Sequence, residues 1–593
     1  MGLEEGSTKK HTGFCESGKC SVVIFVLVAI GIAVVACVTF LFPAVRTTVP
    51  PTETPTTTLT WWQTTIIYQV YPRSFRDSNG DGVGDLKGVI EKLSYFNDLG
   101  VGAVWLSPFF TSPMRDFGYD VSNYTEVDKI FGNMADFDEL IRTAHEKDIK
   151  IIIDFVPNHT SNESTWFKDS RNSMDQYKDF YIWNAGKTLP NGTHVAPNKW
   201  ISVFEGSSWT WDDVRKEYYY HAFLDSQPDL NYRNPAVRAA MKDVLRFWLN
   251  KGVDGFRIDA IPHLFEHVDL SLEERPGMSD AFDPDRYKYT KNQPEIFDVV
   301  REWREVLNQY EGERFLVAET VGIPQEERQK YYEAGSVPFF FDLIPVARGS
   351  RGCPNTLAQC YLTRIIDGMN LKGAQWPNFV IGNHDNRRIA DRIGQEYADA
   401  MNMMLLTLPG TPTSYYGEEL GMRGGNYTGF QPKDPFAITS NNPNNSRDSE
   451  RNPMQWSNTV NAGFMDGTGE PWLKITANTE YPRVNVEEEG KVNGSSLQLY
   501  KELAQLRARP GFRSTHIEHP EIFGEVLTYI RGVDVDKYLV ALNLGLVGFR
   551  LDITQIGYSQ GTVVFATNFS RKNTIIQLAS FHLQRGEGLV IKL

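Results

Sequence analysis

Between residues 66 and 381 the chain is punctuated by seven short, mostly apolar runs, at 66–70, 103–106, 150–155, 253–258, 315–318, 339–343 and 378–381. The stretch before Tyr415 and Tyr416 supplies an eighth. Each run has the length of a strand and is too short for a typical helix. Between them lie segments with helical spacing, such as 135–147 and 235–251. In the second, Val237, Met241, Val244, Leu245, Phe247 and Trp248 fall near one face. Strands that alternate with helices build βα units around a parallel sheet, and eight of them predict an α/β fold of the TIM (β/α)8 barrel type. The 593 residues exceed one ordinary core, and two regions break the alternation. The gap between the third and fourth runs, about 160–233, is rich in Trp, Tyr, Asn and Ser and predicts a lobe inserted after strand 3. Runs at 525–530, 537–542, 547–551 and 562–567 predict a C-terminal all-β domain. The expected division is a barrel over 61–510, including the lobe, and a β-sandwich over 511–593.

The N-terminus has a different character. Residues 21–45 contain no charged side chain, and a membrane-spanning helix needs about 20 apolar residues. Lys9, Lys10 and Lys19 precede the run, which places residues 1–20 in the cytoplasm and the rest outside. A cleaved signal peptide has a shorter apolar core, about 7–15 residues. The expectation is therefore a single-pass type II protein with its ectodomain outside the plasma membrane. Residues 46–60, dominated by Thr and Pro, read as an extended stalk. Sequons at Asn123, Asn162, Asn191, Asn426, Asn444, Asn493 and Asn568 all follow the span and are candidates for glycosylation; an eighth, Asn158, sits inside a motif described below and is expected to be buried. Of five cysteines, Cys15 and Cys20 fall on the cytoplasmic side and Cys37 in the span. Only Cys353 and Cys360 lie outside, and they are expected to form a disulfide. Acidic residues outnumber basic ones, 74 to 60. Nucleic-acid binding needs a basic face, so that class of partner is excluded.

Polar residues recur just after the strands. The third run leads into Asn158 and His159, the fourth delivers Arg257 and Asp259, the fifth ends at Glu319, and the seventh leads into Asn383, His384 and Asp385. The C-terminal ends of barrel strands form the active face of a TIM barrel, so four distant segments converge on one pocket. Three acids and an arginine suit glycoside hydrolysis, which needs one proton donor and one ionised carboxylate. Neighbouring carboxylates repel and keep a proton available on one of them. The chemical step needs no cofactor. A further pattern, Asp77, Asn79, Asp81, Val83 and Asp85 with Gly80 and Gly82 between, places oxygens at alternate positions as in the first half of an EF-hand loop. The glutamate expected at its twelfth position is replaced by Gly88. Structural Ca²⁺ is expected there, with the Val83 carbonyl as one ligand.

DFVPNH (154–159), QPDLN (227–231), GFRIDA (255–260), AET (318–320) and GNHDN (382–386) occur in that order. With them the chain resembles the α-amylase family of glycoside hydrolases, in its oligo-1,6-glucosidase and neutral α-glucosidase branch. The resemblance runs from about Trp61 to near the C-terminus. It implies Asp259 as nucleophile, Glu319 as general acid/base and Asp385 as the acid that binds sugar hydroxyls. It places Asp120, His159, Arg257 and His384 around the first sugar ring, and it supports the Ca²⁺ site. Ala260 after the nucleophile resembles α-1,4-specific members, where Val resembles α-1,6-specific ones. The implied function is a retaining, maltase-like α-glucosidase acting on terminal glucose of oligosaccharides. The same branch resembles the rBAT-type heavy chains of heteromeric amino-acid transporters, which are type II proteins that pair with a light chain. Such chains carry a juxtamembrane cysteine, and this one has no Cys between Cys37 and Cys353.

Overall fold

A computed structural model of the protein describes residues 59–274, 287–370, 375–533 and 535–593. The expected tail, the membrane span and nearly all of the stalk lie outside the described residues, with Cys15, Cys20 and Cys37. Among the described residues no helix is long and apolar enough to cross a membrane.

Eight parallel strands close into a barrel in sequential order: β1 (Ile67–Val70), β2 (Ala103–Leu106), β3 (Lys150–Phe155), β4 (Gly255–Ile258), β5 (Phe315–Ala318), β6 (Val337–Phe340), β7 (Asn378–Val380) and β8 (Thr411–Tyr415). Closure pairs Ile67 of β1 with Thr413 of β8. Successive side chains of a strand face opposite ways, and the sequence satisfies both faces. Ile67, Ala103, Trp105, Ile152, Phe315, Val317, Phe339 and Val380 fill the interior. The residues between them, such as Tyr68, Val104, Ile151, Ile153, Phe256 and Leu316, pack outward into the main core, where helices cover the barrel. Among these helices are α1 (Met134–Glu146) and α2 (Pro235–Asn250), each begun by an Asn side chain that accepts from the first-turn amides. Gly255 opens β4 where a Cβ would stand 2.6 Å from the Phe315 carbonyl oxygen, so only glycine lets β4 and β5 approach there.

The expected run at 339–343 is displaced. The strand spans Val337–Phe340, and Phe341–Leu343 turn into a 3-10 helix that brings Phe341 back against Phe339 in a stacked pair. Between β3 and β4 the chain forms a helix (Thr165–Arg171), a three-stranded sheet (Trp183–Asn184, Trp209–Asp212, Glu217–Tyr220) and a short ribbon. Ile182, Trp200, Trp209, Tyr220 and Ala222 give this lobe its own small core. The C-terminal segment is all β. Strands β9 (Glu518–Phe523), β10 (Val526–Val533), β11 (Asp536–Asn543), β13 (Gln560–Ala566), β14 (Ile575–Gln577) and β16 (Gly588–Lys592) form one antiparallel sheet, and β12 (Phe549–Leu551) pairs with β15 (Phe581–Leu583). One face of the large sheet, through Val526, Ile530, Leu539, Val563 and Ile591, closes on the small one. The other, through Leu527, Tyr529, Val540 and Leu542, joins the barrel core.

Candidate active site

The alternation that fills the barrel also aims its chemistry. Asp154 near the end of β3 and Arg257 on β4 are register partners, and both point inward. Arg257 Nη1 lies 2.8 Å from Asp154 Oδ1 and 2.5 Å from Asp259 Oδ1, while Nη2 lies 2.9 Å from Glu319 Oε1. One guanidinium, 1% exposed, therefore holds three carboxylates that arrive on three consecutive strands. Planar forked donors make arginine the side chain for this task. Glu319 Oε2 accepts from the Ala260 amide at 2.8 Å. That amide is aimed by a left-handed Ala260, φ 47°, a conformation that costs a non-glycine residue about 1–2 kcal/mol.

Asp385 faces this pair from the end of β7. Arg447 and Arg451 each lie 2.9 Å from its Oδ1. Beside it, His384 accepts at Nδ1 from Gln69 Nε2 (2.8 Å), which assigns the ring proton to Nε2, 2.7 Å from the Tyr119 hydroxyl. Tyr119 stacks on the His384 ring and donates to Asp154.

Burial pushes the Asp259 and Glu319 carboxyls up, each to about 7. Arg257 opposes the shift, and repulsion among the acids adds to it. Asp385 is also buried, which alone would raise it, but His384, Arg447, Arg451 and Arg257 hold it far below the usual carboxylate range. Burial lowers His159 to about 4 and His384 to about 3, so both rings are neutral near pH 7. The site thus holds two proton-exchanging acids and one that stays ionised.

These acids line a cavity of about 690 Å³ with Asp116, Tyr119, His159, Gln227 and Arg447. A second cleft of about 880 Å³ meets it at Glu319, Val321 and Asp385. Arg257 lies beneath the cavity rather than in its wall. The expectation for Asp120 is corrected: its carboxylate accepts from Ser112 Oγ and from the Arg115 and Asp116 amides, and it braces the loop away from the cavity. Asp116 lines the cavity instead, with Oδ2 on Gln227 Nε2 (3.1 Å) and Oδ1 facing Arg447 (3.5 Å). Gln227 also reaches His159 Nε2 at 3.1 Å. Asp116, Tyr119, Asp154, Gln227, Arg447 and Arg451 received no role from the sequence, although Asp154 and Gln227 sit inside motifs that flag them.

The other expected sites lie elsewhere. Cys353 and Cys360 are joined by a disulfide. Asn123, Asn191, Asn426, Asn444, Asn493 and Asn568 are exposed and Asn162 half-buried. Asn158 is buried, and its amide donates to Asp229. In the 77–85 loop, Asp77 accepts from the Asn79, Gly80 and Gly82 amides, Asn79 from Asp81, and Asp81 from Val83. Asp85 accepts from Ser78 and from Gly88, where it caps the next helix. Among the described residues no three His, Cys, Asp or Glu side chains group as a metal cluster; beside three carboxylates the loop offers the Asn79 amide oxygen and the Val83 main-chain oxygen.

Comparison with known proteins matches residues 69–513 to the α-amylase catalytic domain. Maltase A2 of Drosophila melanogaster is 41% identical over 521 residues, 83% of this chain and 88% of the relative. The amino acid transporter heavy chain SLC3A1 of Rattus norvegicus is 38% identical over 90% of this chain and 78% of its own length. The crystal structure of the alpha-glucosyl transfer enzyme XgtA superposes with a TM-score of 0.79 at 32% identity, covering 90% of this chain and 99% of that one.

Proposed function

Because the chain belongs to the α-amylase family, we propose that it is a retaining α-glucosidase that removes terminal α-1,4-linked glucose from oligosaccharides outside the cell. The observation that carries this reading is the guanidinium of Arg257 bridging Asp259 and Glu319 at one cavity. Two carboxylates on one fork favour the spacing of retaining enzymes, about 5–5.5 Å, over the wider gap of inverting ones. Asp259 attacks the anomeric carbon and forms a glucosyl ester as Glu319 gives its proton to the departing oxygen. Glu319 then takes a proton from water, whose oxygen displaces Asp259 and restores the α-configuration. Asp385 has no proton to give and serves as a fixed acceptor for ring hydroxyls. Asp116 and Arg447 add a further acceptor and donor on the glycone side, which suits a chain end rather than a chain middle. Ala260 beside the nucleophile and the maltase relatives support the α-1,4 preference.

The test is a maltose assay with the full chain beside Asp259→Asn. Nuclear magnetic resonance would follow the first-formed glucose anomer. We expect α-glucose first and a variant at least about 10³-fold slower. β-Glucose first would exclude retention, and no turnover by the wild type would sink the enzymatic reading. In that case the similarity to SLC3A1 favours a transporter heavy chain, to be sought as a light chain that co-purifies without a disulfide.

The 77–85 loop supports bound Ca²⁺. Its donors are all oxygen, and the bond from the Gly82 amide to Asp77 runs from the sixth position of the loop to the first. Asp77, Asn79, Asp81, Asp85 and the Val83 carbonyl would hold the ion, which would stiffen the loop after β1 and take no part in bond cleavage. The charge-free run at 21–45 supports a type II anchor in the plasma membrane.

A further inference from the structure

The two ends of the cavity are chemically unlike. Asp116, Gln227 and Arg447 gather at one end. Glu319 delivers its proton to the leaving oxygen, so the leaving group lies on the Glu319 side. There the wall is made by His263, Tyr287, Val321 and Lys291. Among the described residues, Arg447 and Lys291 are the cavity's two cationic side chains, and Arg447 is committed to Asp385 and Asp434. Lys291 Nζ donates to the Val321 carbonyl at 3.3 Å, and no ion pair joins it to an acid among the described residues. An ammonium carries three donors, so two remain for a ligand. Among the described residues, the charged and titratable groups that face it are Glu319, Glu327 and, from the turn after β4, His263. Burial lowers the Lys291 pKa, and the two glutamates act against that shift.

We propose that Lys291 recognises the leaving-group sugar: tethered by the Val321 carbonyl, its ammonium donates to a hydroxyl of the ring beside the scissile bond. From the same position it stabilises the Glu319 carboxylate that remains after proton transfer. The preferred leaving group is therefore a polyhydroxylated ring rather than an aryl or alkyl group. The inference rests on the glucosidase reading above.

The experiment compares the full chain with Lys291→Met and Lys291→Arg on maltose and on 4-nitrophenyl α-glucoside. Loss of a charged hydrogen bond lowers kcat/KM for maltose about tenfold or more in Lys291→Met, mainly through KM. The aryl glucoside, which lacks the second sugar, changes by less than about twofold. The alkaline limb of the maltose pH profile moves to higher pH, because a cation near Glu319 has gone. Lys291→Arg restores most of both effects. Equal losses on the two substrates, or an unmoved profile, overturn the proposal. If the wild type turns over neither substrate, the glucosidase reading fails separately, and calorimetric binding of thio-linked maltose and of glucose then decides. Weakening of the disaccharide alone in Lys291→Met upholds the role of Lys291. Equal weakening of both, no weakening, or no binding to the wild type overturns it.

Discussion

At the scale of single residues, the site is organised by who shares a counter-charge with whom. Asp259 and Glu319 share one guanidinium with Asp154, and burial raises both carboxyls to about 7. A pair so linked titrates as a unit, with apparent values that belong to the pair. The proposed mechanism needs Asp259 ionised and Glu319 protonated, so kcat/KM should fall on the acid side as Asp259 gains a proton. It falls on the alkaline side as the acid loses its own. We therefore expect a bell-shaped profile whose alkaline limb lies near neutrality. Glu319→Gln cannot lose a proton, so with an aryl glucoside it should abolish that limb while lowering maltose turnover about 10²- to 10⁴-fold. An alkaline limb that survives in the variant would assign it to another group. The sequence motifs exposed Asp259, Glu319 and Asp385 because each follows a strand. They did not separate Asp116 from Asp120, two aspartates in one short loop. Which carboxylate braces the loop and which faces the cavity is decided by where the backbone amides point. Arg447 and Arg451 sit in a segment after β8, and their partner Asp385 is more than 60 residues away, so local spacing gives no hint of them.

At the scale of elements, the strands were legible where burial on both faces forces continuous apolar runs, as at 150–155, and where polar residues mark their ends. The shift from 339–343 to Val337–Phe340 was not, because the local sequence is apolar on both sides of the turn and only packing of Phe341 on Phe339 decides the end. The 77–85 loop makes a measurable claim at this scale. Its internal bonds already fix the turn, so an ion would add binding energy rather than create the fold. Ca²⁺ at about 100 times its Kd should stabilise the chain by about 2.7 kcal/mol, seen as a higher Tm that a chelator reverses. Asp81 is exposed, and its carboxylate accepts only from the Val83 amide among the described contacts. Asp81→Asn keeps that acceptor and removes the charge, so its Tm without Ca²⁺ should match the wild type and its gain with Ca²⁺ should shrink. A wild-type Tm indifferent to both Ca²⁺ and chelator would remove the site.

At the scale of the whole molecule, buried acids outside the cavity wall set how stability follows pH. Burial raises Glu266, Glu418 and Glu450 to about 7 and Glu489 to about 8. Asp399 and Glu419 lie close enough to Glu489 to add repulsion. A carboxyl raised in the folded state holds a proton that the unfolded chain has already lost above about pH 4.5. Stability is then greatest below that pH and is lost as pH climbs through the folded value. The buried histidines act in the opposite sense, since burial lowers His159 and His384 and rising pH up to about 6.5 favours the fold. Above pH 6.5 the rings of the unfolded chain lose their remaining protons, so this opposing effect fades and the carboxyl effect prevails. Tm should therefore fall between pH 6.5 and 8, a loss to which the net charge of −14 contributes in the same direction. Glu489→Gln isolates one of these protons. Its oxygen can keep the bond that Glu489 accepts from the Leu497 amide, and it cannot ionise. Unfolding measured across that window should show a shallower decline in the variant, by up to about 1.4 kcal/mol per pH unit for a single proton. A decline as steep as the wild type would mean that Glu489 is already ionised in the fold, and a Tm that rises through the window would reverse the sign assigned to the whole set.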